Sequence, residues 1–318
     1  MRLEPGSVFA GCTIERLLGS GGMGRVYLAR HPRLPHRIAL KVLNESLNDD
    51  AKIRERFLRE AALAARLDHP NIVAGYDHSG PEDEELWLAM KFIDGGDVAA
   101  LIAATHRLAP RRAVQLIAGA ARGLDHAHRE GILHRDVKPA NLLIESVAGV
   151  EQAVVSDFGI ARTLDNAATI SGVVASFAYV APERFRDQPP DPRTDVYSLG
   201  CTLFEMLTGQ PPFRRTDPAA LLAAHLTEAP PRPSDLQPTL PRGLDAVIAT
   251  AMAKTPADRY PTCTALADDA AAMSGGRPRR ITPRPRPSAV LTKCVFGDNI
   301  PTEVPAWRHA TTNLARAV

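Results

Sequence analysis

The segment His134-Arg135-Asp136-Val137-Lys138-Pro139-Ala140-Asn141 gathers three complementary groups within eight residues. Moving a phosphoryl group onto a hydroxyl needs a group that accepts or orients the hydroxyl proton. It also needs cations on the phosphate oxygens and oxygen ligands for magnesium. Asp136 suits the first role, Lys138 the second and Asn141 the third. Sixteen residues past Asn141, in Asp157-Phe158-Gly159, Asp157 adds a hard oxygen ligand of the kind magnesium takes.

Upstream lies Gly19-Ser20-Gly21-Gly22-Met23-Gly24-Arg25-Val26. Glycines let backbone N–H groups approach phosphate oxygens unobstructed. Alone the motif is weak, because it also fits a dinucleotide fingerprint, with Glu45 standing about twenty residues on where that fingerprint wants an acid. That reading needs a helix directly after the glycines, whereas Val26-Tyr27-Leu28-Ala29 reads as a strand. No Gly-Lys-Ser/Thr follows, so it is not a Walker A loop. Lys41 sits inside the apolar run Ile38-Ala39-Leu40-Lys41-Val42-Leu43 and needs a partner there. Phe57, Glu60, Ala61, Ala64 and Leu67 share one helical face, which puts Glu60 in an apolar stripe. The two charges suggest a pair that positions phosphates, although either alone reads as a snorkelling surface residue.

The rest of the chain supplies a frame. Thr13–Leu18, Val26–Ala29, Ile38–Leu43 and Leu86–Met90 read as strands, and about Ile53 to Leu67 as a helix. After Asp94-Gly95-Gly96, a hinge candidate, helical spacing dominates: Arg111–Arg129, Asp195–Thr208, Leu244–Lys254 and Cys263–Met273. Leu142–Ile144 and Ala153–Val155 are short apolar runs between them. This predicts an α+β, two-lobed fold: a β-rich lobe over 9–94 with one long helix, and a mostly helical lobe over 95–274. From 275 to 318 a Pro/Arg-rich stretch cannot build a core and reads as a flexible basic tail.

Composition narrows the class. At 318 residues, 45% hydrophobic, with net charge +2, the chain has an ordinary globular balance and is not expected to bind nucleic acid. Cys12, Cys201, Cys263 and Cys294 are scattered, so their spacing suggests neither a zinc site nor a disulfide framework. No signal peptide and no apolar run of eighteen residues is seen, so no transmembrane segment and a cytoplasmic location are expected.

These segments, in this order, resemble the signature set of protein kinases over about Phe9 to Met273. The Gly-Gly-Met-Gly loop, the stretch Glu60 to Val73 with His69-Pro70-Asn71-Ile72-Val73, and Asp157 to Arg162 are most similar to bacterial Hanks-type serine/threonine kinases of actinobacteria, mycobacterial members included. The resemblance implies transfer of the γ-phosphate of ATP to Ser/Thr of protein substrates, with Mg2+ as the metal and Mn2+ as an alternative. It implies that Asp136 and Lys138 are catalytic and that Asn141 and Asp157 hold the metal. Leu18, Gly19, Ser20, Gly21, Gly22, Met23, Gly24, Val26, Ala39, Lys41, Glu60, Met90, Ile93, Asn141, Leu143 and Asp157 are the implied nucleotide-binding residues. Among them Met90 stands at the gatekeeper position, and Ile93 offers backbone hydrogen bonds to adenine. Ala181-Pro182-Glu183 matches the end of an activation segment, with Glu183 expected to pair with Arg259 and Asp195 to anchor the catalytic loop. Lys138 goes with Ser/Thr rather than Tyr substrates.

Arg135 beside Asp136 implies control by a phosphate, which adds about two negative charges and orders a loop by pairing with arginine. Thr169 and Ser171 are the favoured autophosphorylation sites among Thr163, Thr169, Ser171 and Ser176, and the family implies a homodimer for phosphorylation in trans. The chain departs from the family at Ala175-Ser176, where Gly-Thr is usual, and at Lys91, where an acid is common. Two other readings stand beside the active enzyme. A pseudokinase would have lost Asp136, Asp157 or Lys41, and an adaptor would act through the basic tail.

Overall fold

The computed structural model describes residues 2–21, 24–33, 36–45, 50–158 (Arg56 by its backbone), 177–185 and 191–275. Gly22, Met23, Gly159, Thr163, Thr169, Ser171, Ala175, Ser176 and the tail beyond Gly275 lie outside the described residues. The chain divides into two units, Met1–Arg280 and Ile281–Val318; the second is wholly outside them.

An antiparallel six-stranded sheet forms the first part, in the order β1-β2-β3-β4-β6-β5. Its strands are β1 (Val8–Phe9), β2 (Cys12–Gly21), β3 (Gly24–Arg30), β4 (Arg37–Leu43), β5 (Gly75–His78) and β6 (Trp87–Lys91). Side chains alternate between the faces of a strand, and β4 shows both faces covered. Ile38, Leu40 and Val42 join Tyr27, Ile14 and Leu3 on one side. Ala39 and Leu43 join Phe57 and Ala61 of helix α1 (Ala51–Ala64) on the other. Lys41 therefore falls on the face that α1 covers. Asp50 caps α1, its carboxylate accepting from the N–H of Lys52 at 2.8 Å and of Ile53 at 3.2 Å.

The second part is helical: α2 (Val98–Thr105), α3 (Pro110–Arg129), α4 (Pro192–Thr208), α5 (Pro218–Thr227), α6 (Gly243–Ala251) and α7 (Cys263–Met273). A hairpin of β7 (Leu142–Val147) and β8 (Val150–Val155) lies against α3. Helix α4 is buried along almost its whole length and forms the centre of one continuous apolar core with α3, α6 and α7. It ends at Gly209, whose φ of 81° suits glycine, and an added Cβ would meet the His106 carbonyl oxygen at 2.1 Å. No helix among the described residues is long and apolar enough to cross a membrane.

The expected strands and helices form within a few residues of their predicted ends. Helices α2 and α5, strands β1 and β5 and a short helical turn at Pro233–Leu236 are the additions. Val98–Thr105 and Pro218–Thr227 are apolar on nearly every side, so they carry no helical period to read.

Candidate active site

The catalytic loop hangs from one buried carboxylate. Asp195 on α4 is fully buried and accepts three hydrogen bonds. The His134 N–H reaches Oδ2 at 2.9 Å, the Arg135 N–H reaches Oδ1 at 2.7 Å, and His128 Nε2 lies 2.7 Å from Oδ2. Burial pushes this carboxyl up, but the hydrogen bond from His128 and its other donors outweigh that and hold it below the usual range. Arg135 sits at φ 66°, a conformation costing a non-glycine residue about 1–3 kcal/mol unless its surroundings enforce it. The Asp195 bond to its N–H is part of that enforcement. Buried His134 accepts at Nδ1 from the Asp136 N–H (3.2 Å), so its Nε2 donates to the Ser156 carbonyl (2.8 Å). Its ring meets the Phe158 ring edge-on at 4.7 Å. It is a packing residue.

The loop then turns through Pro139–Asn141 and brings three polar groups together. Lys138 Nζ lies 2.7 Å from Asp136 Oδ2. Asn141 Nδ2 donates to the same Oδ2 at 3.0 Å and to the Asp136 carbonyl at 2.8 Å. Asn141 thus commits its N–H groups to Asp136, and its amide oxygen makes no hydrogen bond among the described residues. Asp157, at φ 61°, commits Oδ1 to Lys41 Nζ at 2.8 Å and keeps Oδ2. Two oxygens of hard-cation type are left over, which fits a magnesium-type ion.

The partner of Lys41 differs from the one expected. The apolar stripe suggested Glu60, but the ion pair of Lys41 is with Asp157. Phe57 and Ala61 of α1 take the fully buried positions against β4, and Glu60 is left half-buried. Lys41 is 6% exposed and its one cationic head is met by the carboxylate nearest to it. Burial raises Asp157, but the charge and hydrogen bond of Lys41 outweigh it, and the acid stays ionised below its ordinary range.

Gly19, Ser20 and Gly21 end β2, and Gly24 starts β3, with Gly21 paired to Gly24. The residues after the glycines are strand, so the dinucleotide reading falls. A Cβ on Gly24 would meet the Val42 carbonyl oxygen at 2.1 Å, so only glycine lets the hairpin lie over β4. Leu18, Val26, Ala39 and Met90 belong to one apolar cluster. Ile93 is buried just beyond β6, and Leu143 is half-buried on β7. At Gly95 an added Cβ would strike the Ile144 carbonyl oxygen at 2.1 Å, so the link between the two parts passes close to β7. Lys91, the unusual residue of this link, pairs with Glu145 at 2.5 Å.

Glu183 and Arg259 pair as expected through two bonds of 2.7 Å each. Arg259 also donates to the carbonyls of Ala253 (2.7 Å) and Arg193 (2.9 Å), and Thr194 donates to Glu183 at 2.8 Å. Arg184 donates to the Arg135 carbonyl at 2.7 Å, tying this segment to the catalytic loop. The sequence reading missed two contributors. His126 and His128 face apart, His126 stacking on His69 and His128 reaching Asp195. Tyr179 donates its hydroxyl to Glu205, and its carbonyl accepts from Ser198 Oγ at 2.7 Å, so it holds the segment 177–185 onto α4. Nothing in local spacing signals either, because each partner lies far along the chain.

Comparison with known proteins agrees with this geometry. The protein kinase domain pattern matches residues 12–269. The chain is 49% identical over 315 residues to serine/threonine-protein kinase PknJ of Mycobacterium tuberculosis, covering 96% of this chain and 52% of that one. It is 44% identical over 273 residues to PknF of the same species, covering 84% and 57%. The chain therefore spans about half the length of these relatives. The crystal structure of the Mycobacterium tuberculosis PknI kinase domain superposes with a TM-score of 0.71 at 36% identity, covering 86% of this chain and all of that one. By its fold, its loop geometry and these likenesses, the chain belongs to the protein kinase family.

Proposed function

We propose that this chain transfers the γ-phosphoryl group of magnesium-ATP to serine or threonine hydroxyls of protein substrates. The observation that supports this most is the catalytic loop itself. One carboxylate oxygen, Asp136 Oδ2, is met by Lys138 Nζ at 2.7 Å and Asn141 Nδ2 at 3.0 Å. Two charged or polar donors on Oδ2 leave Oδ1 as the atom to take a hydroxyl proton. Lys138 stands within reach of the same place and neutralises charge on the transferring phosphoryl. Lys41 positions the phosphates, with the hairpin at Gly19–Gly24 above them. Leu18, Val26, Ala39, Met90 and Leu143 give the adenine an apolar bed, and the backbone at Ile93 offers it hydrogen bonds. A bound Mg2+, held by Asn141 and Asp157, supplies charge neutralisation on the phosphate oxygens.

Phosphorylation of Thr169 or Ser171, with Arg135 as the phosphate's partner, and action as a homodimer belong to the same proposal. The test is phosphate transfer from magnesium-ATP by the purified chain beside Asp136→Asn, with the sites located by mass spectrometry. Loss of the base is expected to lower transfer about 10²–10⁴-fold. Equal incorporation by both proteins, or ATP binding with no transfer by either, would overturn the reading.

A further inference from the structure

Away from the loop, helix α3 and the start of α7 bring together a carboxylate, an imidazole and a thiol. Asp125, His128 and Cys263 each offer one ligand atom, and these atoms all lie within 4.8 Å of one another. We propose that these three residues form a binding site for one divalent transition-metal ion of the zinc type, tying α7 to α3.

The donor set selects the ion. Thiolate with imidazole favours borderline-soft metals over magnesium or calcium, and one carboxylate is a common third ligand. A tetrahedral ion with bonds of about 2.0–2.3 Å holds its ligand atoms roughly 3.3–3.8 Å apart, so the side chains must close by about 1 Å.

The imidazole is already oriented for this. His128 Nε2 lies 2.7 Å from Asp195 Oδ2. A carboxylate can only accept, so Nε2 carries the proton and the lone pair of a neutral ring sits on Nδ1. Nδ1 points toward Asp125 Oδ1 at 3.8 Å, beyond hydrogen-bonding reach. The Cys263 thiol already donates to Asp125, so a cation in place of that thiol proton would meet all three ligand atoms. Ligating histidines generally donate their other N–H to a carboxylate, and Asp195 is that outer partner here. Asp125 is fixed as well, accepting from the N–H groups of Cys263 and Thr264 at 2.9 Å each, with lone pairs to spare.

Binding is balanced in charge and protons. The metal forms bonds to Asp125, His128 Nδ1 and Cys263 Sγ, and the thiol proton leaves to solvent. Two anionic ligands then match the dication. Cys263 is fully buried, but Asp125 keeps 12% of its side chain exposed, and entry is from that side. The consequence reaches the catalytic loop: metal on Nδ1 locks the His128 proton on Nε2, where it holds Asp195.

The probe is Co2+ titrated into the whole chain after chelation and dialysis. About one equivalent should bind with tetrahedral d–d bands and a thiolate-to-cobalt charge-transfer band. Zn2+ should bleach these bands and excess Mg2+ should not. Cys263→Ala should lose the charge-transfer band, while Cys12→Ala, Cys201→Ala and Cys294→Ala keep it. Should Cys263→Ala fail to fold, Asp125→Asn serves instead: it keeps an acceptor for α7 but should bind Co2+ at least about tenfold more weakly, the lower end of what outer-shell changes already cost. The proposal is overturned by no thiolate band in the native chain, by a band surviving Cys263→Ala, or by unchanged affinity in Asp125→Asn. A native chain that takes up no Co2+ likewise overturns it.

Discussion

Two buried ion pairs of nearly equal length do different work in this molecule. Glu183–Arg259 closes at 2.7 Å with side chains 3% and 0% exposed. Lys41–Asp157 closes at 2.8 Å with side chains 6% and 32% exposed. In the first, Arg259 spends its remaining N–H groups on the carbonyls of Ala253, Arg193 and Lys254, and its guanidinium lies 4.9 Å from the Tyr197 ring centroid. It is complete without any ligand. In the second, Lys41 has one carboxylate oxygen, and Asp157 keeps another, which the proposed function assigns to a metal. Distance does not separate a structural pair from a working one; what remains unsatisfied does.

The sharpest way to break this comparison is Arg259→Met. Removing one partner of a buried pair leaves an uncompensated charge and should cost about 3–5 kcal/mol in denaturant unfolding. Its pH dependence should also change sign. Burial raises Glu183, and in the native chain Arg259 outweighs that and holds the carboxyl below its ordinary range. A depressed carboxyl stabilises above the unfolded pKa, and that contribution is lost as pH falls through the folded value. Without Arg259 only the Thr194 hydroxyl and a backbone hydrogen bond oppose burial, so the variant should gain stability relative to the native chain on acidification. A variant that loses stability in parallel with the native chain would show the pair is not sealed.

A second effect belongs to the same packed block. Tyr197 meets His225 Nδ1 at 2.9 Å, and His225 is fully buried with its pKa lowered from 6.5 to about 4, by burial first and then by Lys254. The unfolded chain takes up this proton at a higher pH than the folded one. Stability should therefore be full above about pH 6.5 and fall by on the order of 2–3 kcal/mol between pH 6.5 and 4. His225→Gln should flatten that stretch of the curve of unfolding free energy against pH, and an unchanged slope would rule this residue out. Smaller still is the loss of a cap near the link between the two parts. Asp97 accepts from the Ala100 N–H at 2.8 Å, and Asp97→Ala should cost about 1 kcal/mol by thermal unfolding without touching phosphate transfer.

Much of this was legible in the sequence where signals are local. The run His134 to Asn141 has its chemistry in eight adjacent residues, and the structure brings Asp136, Lys138 and Asn141 to one carboxylate oxygen. Strand β4 showed its buried lysine because Lys41 interrupts a continuous apolar run. The partner of that lysine was misread because two carboxylates compete for it. Glu60 shares its helix face with apolar residues, while Asp157 lies 116 residues away. Helical spacing alone cannot weigh one against the other. Asp125 and Cys263 stayed invisible for the same reason, since cysteine spacing cannot show ligands 138 residues apart. Asp125 and His128, three apart on one face of α3, were the part of that cluster a helical reading could have found.

The most direct test of the contrast is Lys41→Met, followed both by phosphate transfer from magnesium-ATP and by unfolding in denaturant. Transfer should fall about 10²–10³-fold, the cost of removing one preorganised donor. The unfolding free energy should change by about 1 kcal/mol or less, because Asp157 keeps access to water. Transfer within a few-fold of the native chain, or a loss of stability as large as that of Arg259→Met, would contradict the account.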